Sequence, residues 1–304
     1  MFISYAQNFE DVMLNRIFKD KESGFYIDIG AHHPVYDSVT KSFYDRGWQG
    51  INIEPVKEFF TLLQQERDRD INLNIAIGES RSNLEFFELE GSGFSTLDGE
   101  TAMKLAEERG LKLSQYQVPV RTLADVCREH LNSQIDFLKI DVEGWEEKVI
   151  LGNDWEAFRP TIIILEATLP GSPIRKENNI CNFLEQKGYQ RVYFDGLNDY
   201  YLAEEASSLA THLDTPPNVF DNFIPFQFKD PLREITILKN NLNDEKLENQ
   251  HLTQAVVKLK SLQNQRAAQI TQLYAQIAAM ESSKFWKMRS AWFDFKRMFG
   301  IFAD

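Results

Sequence analysis

The sequence predicts an α/β fold: a doubly wound, mostly parallel sheet whose last strand runs antiparallel, followed by a long C-terminal helix or coiled coil. Three observations carry this. Two strand-turn-helix units follow one another near the N-terminus, residues 25–30 leading into 36–46 and residues 50–55 leading into 56–67, and neighbouring parallel strands need such crossovers. Ile162, Ile163, Ile164 and Leu165 are apolar at successive positions, the pattern of a strand buried on both faces. Near residue 213 short apolar runs punctuated by glycine give way to Gln, Asn, Lys and Leu, which separates a globular part from a helical extension.

In chain order, the first strand, Phe25-Tyr26-Ile27-Asp28-Ile29-Gly30, ends in an acid and a glycine. The second, Gly50-Ile51-Asn52-Ile53-Glu54-Pro55, ends in an acid and a proline, and that proline opens the next helix. Further strands are predicted over 73–77, 135–141 and 161–166, with helices over 122–131, 145–151 and 178–187, the last stopped by Gly188. Residues 189–194 and 200–203 flank Asp195-Gly196-Leu197-Asn198-Asp199 and read as a hairpin, which turns the last strand antiparallel. The predicted organisation is a globular domain over 1–212, a Pro- and Phe-containing linker lying against it over 213–231, a coiled coil over 232–282, and a basic aromatic helix over 283–304.

Composition excludes several classes. The net charge is −13, from 33 basic and 46 acidic side chains, which argues against a general nucleic-acid binder because phosphate neutralisation needs clustered cations. Cys127 and Cys181 have no paired spacing, so neither a zinc site nor a disulfide framework is expected and a reducing cytoplasm fits best. The N-terminus carries Glu10 and Asp11 where a signal peptide has its apolar run, and no segment approaches the roughly 18 apolar residues of a membrane span.

In doubly wound sheets ligands bind beyond the carboxyl ends of the strands, which singles out Asp28, Gly30, Glu54, Asp141 and Glu166. Gly30, without a Cβ, lets a ligand approach the backbone. Glu54 follows it by about the distance at which an acid accepts from both ribose hydroxyls. Either a nicotinamide cofactor or S-adenosylmethionine (SAM) fits so far. The turn, Asp28-Ile29-Gly30-Ala31-His32-His33-Pro34, lacks the second and third glycines of a pyrophosphate fingerprint. SAM has no phosphate, and Asp28 can take its ammonium group directly or through water.

Four blocks in order, Ser4-Tyr5-Ala6-Gln7-Asn8-Phe9-Glu10-Asp11, Tyr26-Ile27-Asp28-Ile29-Gly30-Ala31, Trp48-Gln49-Gly50-Ile51-Asn52-Ile53-Glu54-Pro55 and Asp136-Phe137-Leu138-Lys139-Ile140-Asp141-Val142-Glu143-Gly144, resemble the FkbM-type methyltransferase family. The resemblance runs through most of residues 1–205. It implies a seven-stranded, Rossmann-like class I methyltransferase fold, SAM as donor, and O-methylation of hydroxyl groups on sugars or other small molecules. Carried over by position, Asp28, Gly30 and Ala31 lie along the methionine part of SAM. Glu54 holds the ribose with Pro55 beside it, and residues 74–77, Ala76 and Ile77 among them, flank the adenine. Asp141 faces the methyl group and the acceptor, with Glu143 just beyond.

An alcohol attacks a sulfonium methyl only as its proton is accepted. Asp141, Glu143 and His32 are the candidates for that work. His32 stands where the family often has Asn, and reads equally as base or turn residue; Glu143 reads also as a helix N-terminal acid. Asp141 and Glu143 could instead hold a divalent cation, but no third ligand is evident in the sequence, so no metal is assigned. Glu10 and Asp11 either cover the site or face solvent on a helix. The acceptor pocket is expected over residues 88–117, whose start holds Gly91-Ser92-Gly93-Phe94-Ser95-Thr96.

From Ile235 the apolar residues step by threes and fours: Leu238, Leu242, Leu252, Val256, Leu259, Ile270, Leu273, Ile277 and Met280 share one heptad frame with the polar Glu245, Asn249, Gln263 and Arg266. A homo-oligomeric coiled coil and a single solvated helix both fit. Residues 283–304 hold seven aromatic side chains, Phe285, Trp286, Trp292, Phe293, Phe295, Phe299 and Phe302, among Lys284, Lys287, Arg289, Lys296 and Arg297. Such a helix lies on an anionic membrane surface or in a partner's groove. Two other functions stay open: a non-catalytic methyltransferase-fold scaffold acting through its coiled coil, and a nicotinamide-dependent oxidoreductase.

Overall fold

Successive side chains point to opposite faces of a strand, and here both faces of the central strands are apolar, so helices cover both. The computed structural model describes residues 2–228, 231–282 and 284–298, and the chain divides into two units, Met1–Asp230 and Pro231–Asp304. The first unit runs β1 (Phe2–Ser4), α1 (Glu10–Phe18), β2 (Phe25–Ile29), α2 (Lys41–Asp45), β3 (Gln49–Ile53), α3 (Lys57–Glu66), β4 (Ile71–Leu73), β5 (Ala76–Ile77) and β6 (Ser82–Leu89). It continues through α4 (Gly99–Arg109), β7 (Leu113–Arg121), α5 (Leu123–His130), β8 (Phe137–Ile140), α6 (Glu146–Leu151) and β9 (Ile162–Glu166). It closes with α7 (Ile180–Gln186), β10 (Tyr189–Phe194), β11 (Asn198–Ala203) and β12 (Phe223–Pro225).

The α/β class is as expected, with mixed sheets. The largest has the order β10-β11-β9-β8-β2-β3-β4. Its β2, β3, β4, β8 and β9 pair in parallel, whereas β11 is antiparallel to both β9 and β10. The reason is the turn after β10, where Asp195 Oδ1 accepts from the N–H groups of Leu197 and Asn198 and Gly196 takes φ +100°. So short a connection reverses the chain and cannot cross over. Ile27, Ile29, Ile51, Ile53, Leu138, Ile140, Ile163 and Leu165 pack with Val126 of α5, Val149 of α6 and Leu184 of α7. The alternate residues Tyr26, Phe137, Ile162 and Ile164 pack with Met13 and Leu14 of α1 and Phe43 of α2.

Several predicted elements change extent. The helix expected over 36–46 forms only at α2, because the buried Arg67 takes the Pro34 carbonyl (2.7 Å) and the Ser38 hydroxyl (3.0 Å), and Asp37 sits at φ +57°. The strand expected over 73–77 is two. β4 ends in the main sheet, the Asn74 side-chain amide donates to the Glu54 and Pro55 carbonyls (both 2.9 Å), and β5 joins a second sheet of order β5-β7-β6. Residues 88–117, read as a loop, hold the end of β6, a loop, α4 and the start of β7; β6 and β7 pair antiparallel from Ser82↔Val120 to Leu89↔Leu113. The alternating Leu84, Phe86, Tyr116, Val118 and Val120 carried the signal, masked by Pro119, a residue that argues against a strand assignment.

The segment read as a linker lying against the domain is tied to it. β12 pairs in parallel with β1 from Phe2↔Phe223, and the Arg16 guanidinium binds both Asp221 oxygens at 2.6 and 2.7 Å. In the second unit α8 spans Pro231–Ser282 and α9 spans Lys284–Met298. Leu252, Val256, Leu259, Ile270, Leu273 and Ile277 are exposed along α8. The side chains of Ile235, Leu238, Leu242 and Glu245, and residues Phe299 and Phe302, lie outside what is described. No helix among the described residues is long and apolar enough to cross a membrane.

Candidate active site

Level register brings the strand ends together. Asp28 stands opposite Asn52 on one side and Lys139 on the other, and Ile29 opposite Ile53 and Ile140. Gly30, Glu54 and Asp141 therefore leave the sheet side by side, at the mouth of a cavity of about 330 Å³, within the range of small-molecule sites. Asp28, Gly30, Ala31, His32, Glu54, Pro55, Ala76, Ile77, Asp141 and Glu143 line it, whereas Glu166 and Asn74, also singled out from the sequence, are not among its lining residues. Ser92, Gly93, Phe94, Ser95 and Thr96 from the predicted acceptor loop line it too.

Gly30 is required for a reason beyond the one expected, the packing of two strand ends. Its φ is +77°, and a Cβ on it would stand 1.8 Å from the Asp141 carbonyl oxygen. The missing side chain lets the ends of β2 and β8 meet beside the cavity that Gly30 lines. Asp28 is buried, with one oxygen accepting from the Thr40 hydroxyl (3.2 Å) and Oδ1 lacking a hydrogen-bond donor among the described residues. Its neighbour Lys139, missed by sequence reasoning although a lysine inside an apolar strand is a signal, donates to the Gly30 carbonyl (2.9 Å). The same Nζ lies 3.5 Å from Asp28 and 3.4 Å from Asp141. Burial opposes the Lys139 charge, yet the carboxylates of Asp141 and Asp28 outweigh it and raise its pKa. Burial raises that of Asp28, against the pull of Lys139 and Arg67.

Glu54 is buried at the end of β3, one oxygen accepting from the His32 N–H (2.8 Å) and the other from the Val56 N–H (2.7 Å). Burial pushes its pKa up to about 7, against those two backbone bonds. Its hold on the turn keeps His32 at φ +49°, with the imidazole 3.9 Å from the Phe59 ring. Burial, then Lys139, lowers the His32 pKa to about 4, so the ring is uncharged at neutral pH. Ile75, Ala76, Ile77 and Phe86 make the wall beside Glu54 apolar. The Thr96 hydroxyl donates to the Val142 carbonyl (3.4 Å), tying residues 92–97, which line the cavity, to the chain just beyond β8.

Beyond Asp141, Glu143 and Gly144 turn left-handed (φ +52° and +105°), a conformation costly for glutamate that here directs a buried carboxyl inward. The third carboxylate is Glu166, from the end of β9, which the sequence singles out as a strand end without grouping it with Asp141 and Glu143. One ligand oxygen each of Asp141, Glu143 and Glu166 lie within 4.8 Å of one another. Lys176 bridges Glu146 and Glu166 at 2.8 Å each. Burial and the neighbouring carboxylates raise the pKa of both Glu143 and Glu166. Glu10 and Asp11 do neither of the things expected of them. They are buried in the first turn of α1, Glu10 accepting from Asn198 (2.9 Å) and Asp11 from the Ser4 hydroxyl (2.6 Å), while Gln7 reaches the cavity.

The family model described as the methyltransferase FkbM domain matches residues 28–191, more than half of the 304. Among solved structures the chain is similar to the crystal structure of methyltransferase FkbM from Methylobacillus flagellatus KT, with 16% identity and a TM-score of 0.39. That alignment covers 60% of this chain and 44% of the other. Comparison with curated proteins gives no match. The matched segment begins at the acid of β2 and contains Glu54, Asp141, Glu143 and Glu166, and the chain belongs to the FkbM methyltransferase family.

Proposed function

We propose that the chain transfers a methyl group from SAM to a hydroxyl oxygen of a small-molecule or carbohydrate acceptor. Glu54 carries this reading. A buried carboxylate fixed by two backbone N–H groups keeps lone pairs on both oxygens for a pair of vicinal ribose hydroxyls. The other residues fit the same group: Asp28 Oδ1, buried without a hydrogen bond and facing Lys139 Nζ only at 3.5 Å, keeps a lone pair for an ammonium, and Ile75, Ala76, Ile77 and Phe86 suit an adenine ring. His32 and Val35, where a pyrophosphate turn starting at Gly30 has its second and third glycines, disfavour a nicotinamide cofactor.

When bound, SAM supplies a sulfonium-activated methyl group. The chain's own part is to orient it, exclude water with residues 92–97, and accept the acceptor's proton as oxygen attacks. We assign that proton to Asp141, which is partly exposed at the cavity wall. His32 is a weak base in this setting, and burial beside like charges favours the protonated form of Glu143; both then serve as hydrogen-bonding groups.

Calorimetric titration of SAM into the full chain tests the reading, with micromolar binding expected and a loss of about tenfold or more in Glu54→Ala. Because hydroxyls donate to the ionised carboxyl and that carboxyl titrates near 7, affinity should rise from pH 6 to 8 in the wild type and stay flat in Glu54→Gln. Absence of heat at any pH would remove SAM from the account.

We further infer that the exposed heptad seam of α8 associates with a second copy of the chain, and that α9 rests on an anionic lipid surface. Lys284, Lys287, Arg289, Lys296 and Arg297 oppose Asp294 alone in α9, within a protein of net charge −13.

A further inference from the structure

We propose that Asp141, Glu143 and Glu166 bind one divalent, oxygen-preferring cation, Mg²⁺ or Mn²⁺, at the wall of the cavity. Their ligand oxygens lie within 4.8 Å of one another, and Glu143 and Glu166 are only 8% and 5% exposed. Like charges so close in a buried space must be neutralised, by a proton in the free chain or by a bound cation that displaces it. The neighbouring ammonium groups supply too little. Lys176 is divided between Glu146 and Glu166, and Lys139 between Asp28 and Asp141. Glu143 is left over. Its Oε2 is buried with no hydrogen-bond donor among the described residues, although the residue is more than nine-tenths buried.

That orphaned oxygen is the observation independent of the clustering, and the left-handed turn at residues 143–144 holds it there. A donor set of carboxylates alone, without sulfur or imidazole, selects hard cations. Three protein oxygens also leave positions open for water or a substrate oxygen. The role of the site rests on the methyltransferase reading: a cation here fixes the acceptor hydroxyl against Asp141, whose second oxygen stays available for its proton. Binding itself does not depend on that reading.

The test is a titration of the chelator-treated full chain with Mn²⁺, following the loss of the free-ion electron paramagnetic resonance signal. One equivalent per chain should bind and be displaced by Mg²⁺. Glu143→Gln and Glu166→Gln should each weaken binding by about tenfold or more, whereas Glu147→Gln, exposed on α6, leaves it unchanged. Circular dichroism establishes that each variant folds. Should a buried variant not fold, Asp141→Asn, at a partly exposed position, should give the same loss. No saturable binding below about 1 mM, or binding that all three variants leave intact, overturns the proposal. SAM titrated into the same metal-free chain separates this failure from failure of the methyltransferase reading.

Discussion

At Gly30 a single missing Cβ decides whether two strand ends can meet. Alanine there would carry an unfavourable φ and drive its methyl into the Asp141 carbonyl at 1.8 Å. The left-handed conformation alone costs about 1–2 kcal/mol, and the contact is with backbone, which cannot rotate away. Gly30→Ala should therefore lose roughly 3–5 kcal/mol in urea denaturation and lose SAM binding with it, since Asp28 and Asp141 would part. Stability within about 1 kcal/mol of wild type would mean that the strand ends have room to spread. Glu54 and His32 form a comparable unit: the carboxylate that we assign to the ribose also holds the turn, so Glu54→Ala should disturb His32 as well as the ligand.

Among the elements, the pairing of β1 with β12 matters because it joins the two ends of the first unit. Arg16 of α1 organises it, binding Asp221 and the carbonyls of Thr215 (2.6 Å) and Pro216 (2.9 Å). Arg16→Ala should cost about 1–3 kcal/mol and expose residues 213–222 to limited proteolysis, with little change in SAM affinity because none of these residues lines the cavity. Resistance to cleavage equal to that of wild type would show that the strand pairing holds the segment unaided. The β6-α4-β7 insertion is the other element that distinguishes this domain, because it supplies Phe86 and residues 92–97 to the cavity.

For the whole molecule, the first unit has its own core and holds the entire candidate site. A chain ending at Asp230 should fold and bind SAM within about twofold of the full chain. Sedimentation should reduce it from an oligomer to a monomer, and flotation with phosphatidylserine vesicles should be lost. A full chain that is monomeric and does not float would leave α8 and α9 without the roles inferred for them, with the catalytic reading intact.

Strand identity and the acids that end each strand were legible in the sequence, because side-chain alternation and a terminal acid-glycine or acid-proline pair are local properties of the chain. That legibility covers Asp28, Glu54 and Asp141, all of which line the cavity. Helix extent at residues 36–40 was not legible, because it depends on Arg67 reaching back across more than 30 residues. Nor was the pairing of β5 with β7, hidden behind Pro119. The α/β class, the family and the residues at the strand ends follow from the order of residues alone. Tertiary structure decided which of them meet: that Lys139 stands between Asp28 and Asp141, that Gly30 serves strand packing, and that Glu166 joins Asp141 and Glu143. Such meetings depend on strand order and register, which pair residues far apart in the chain.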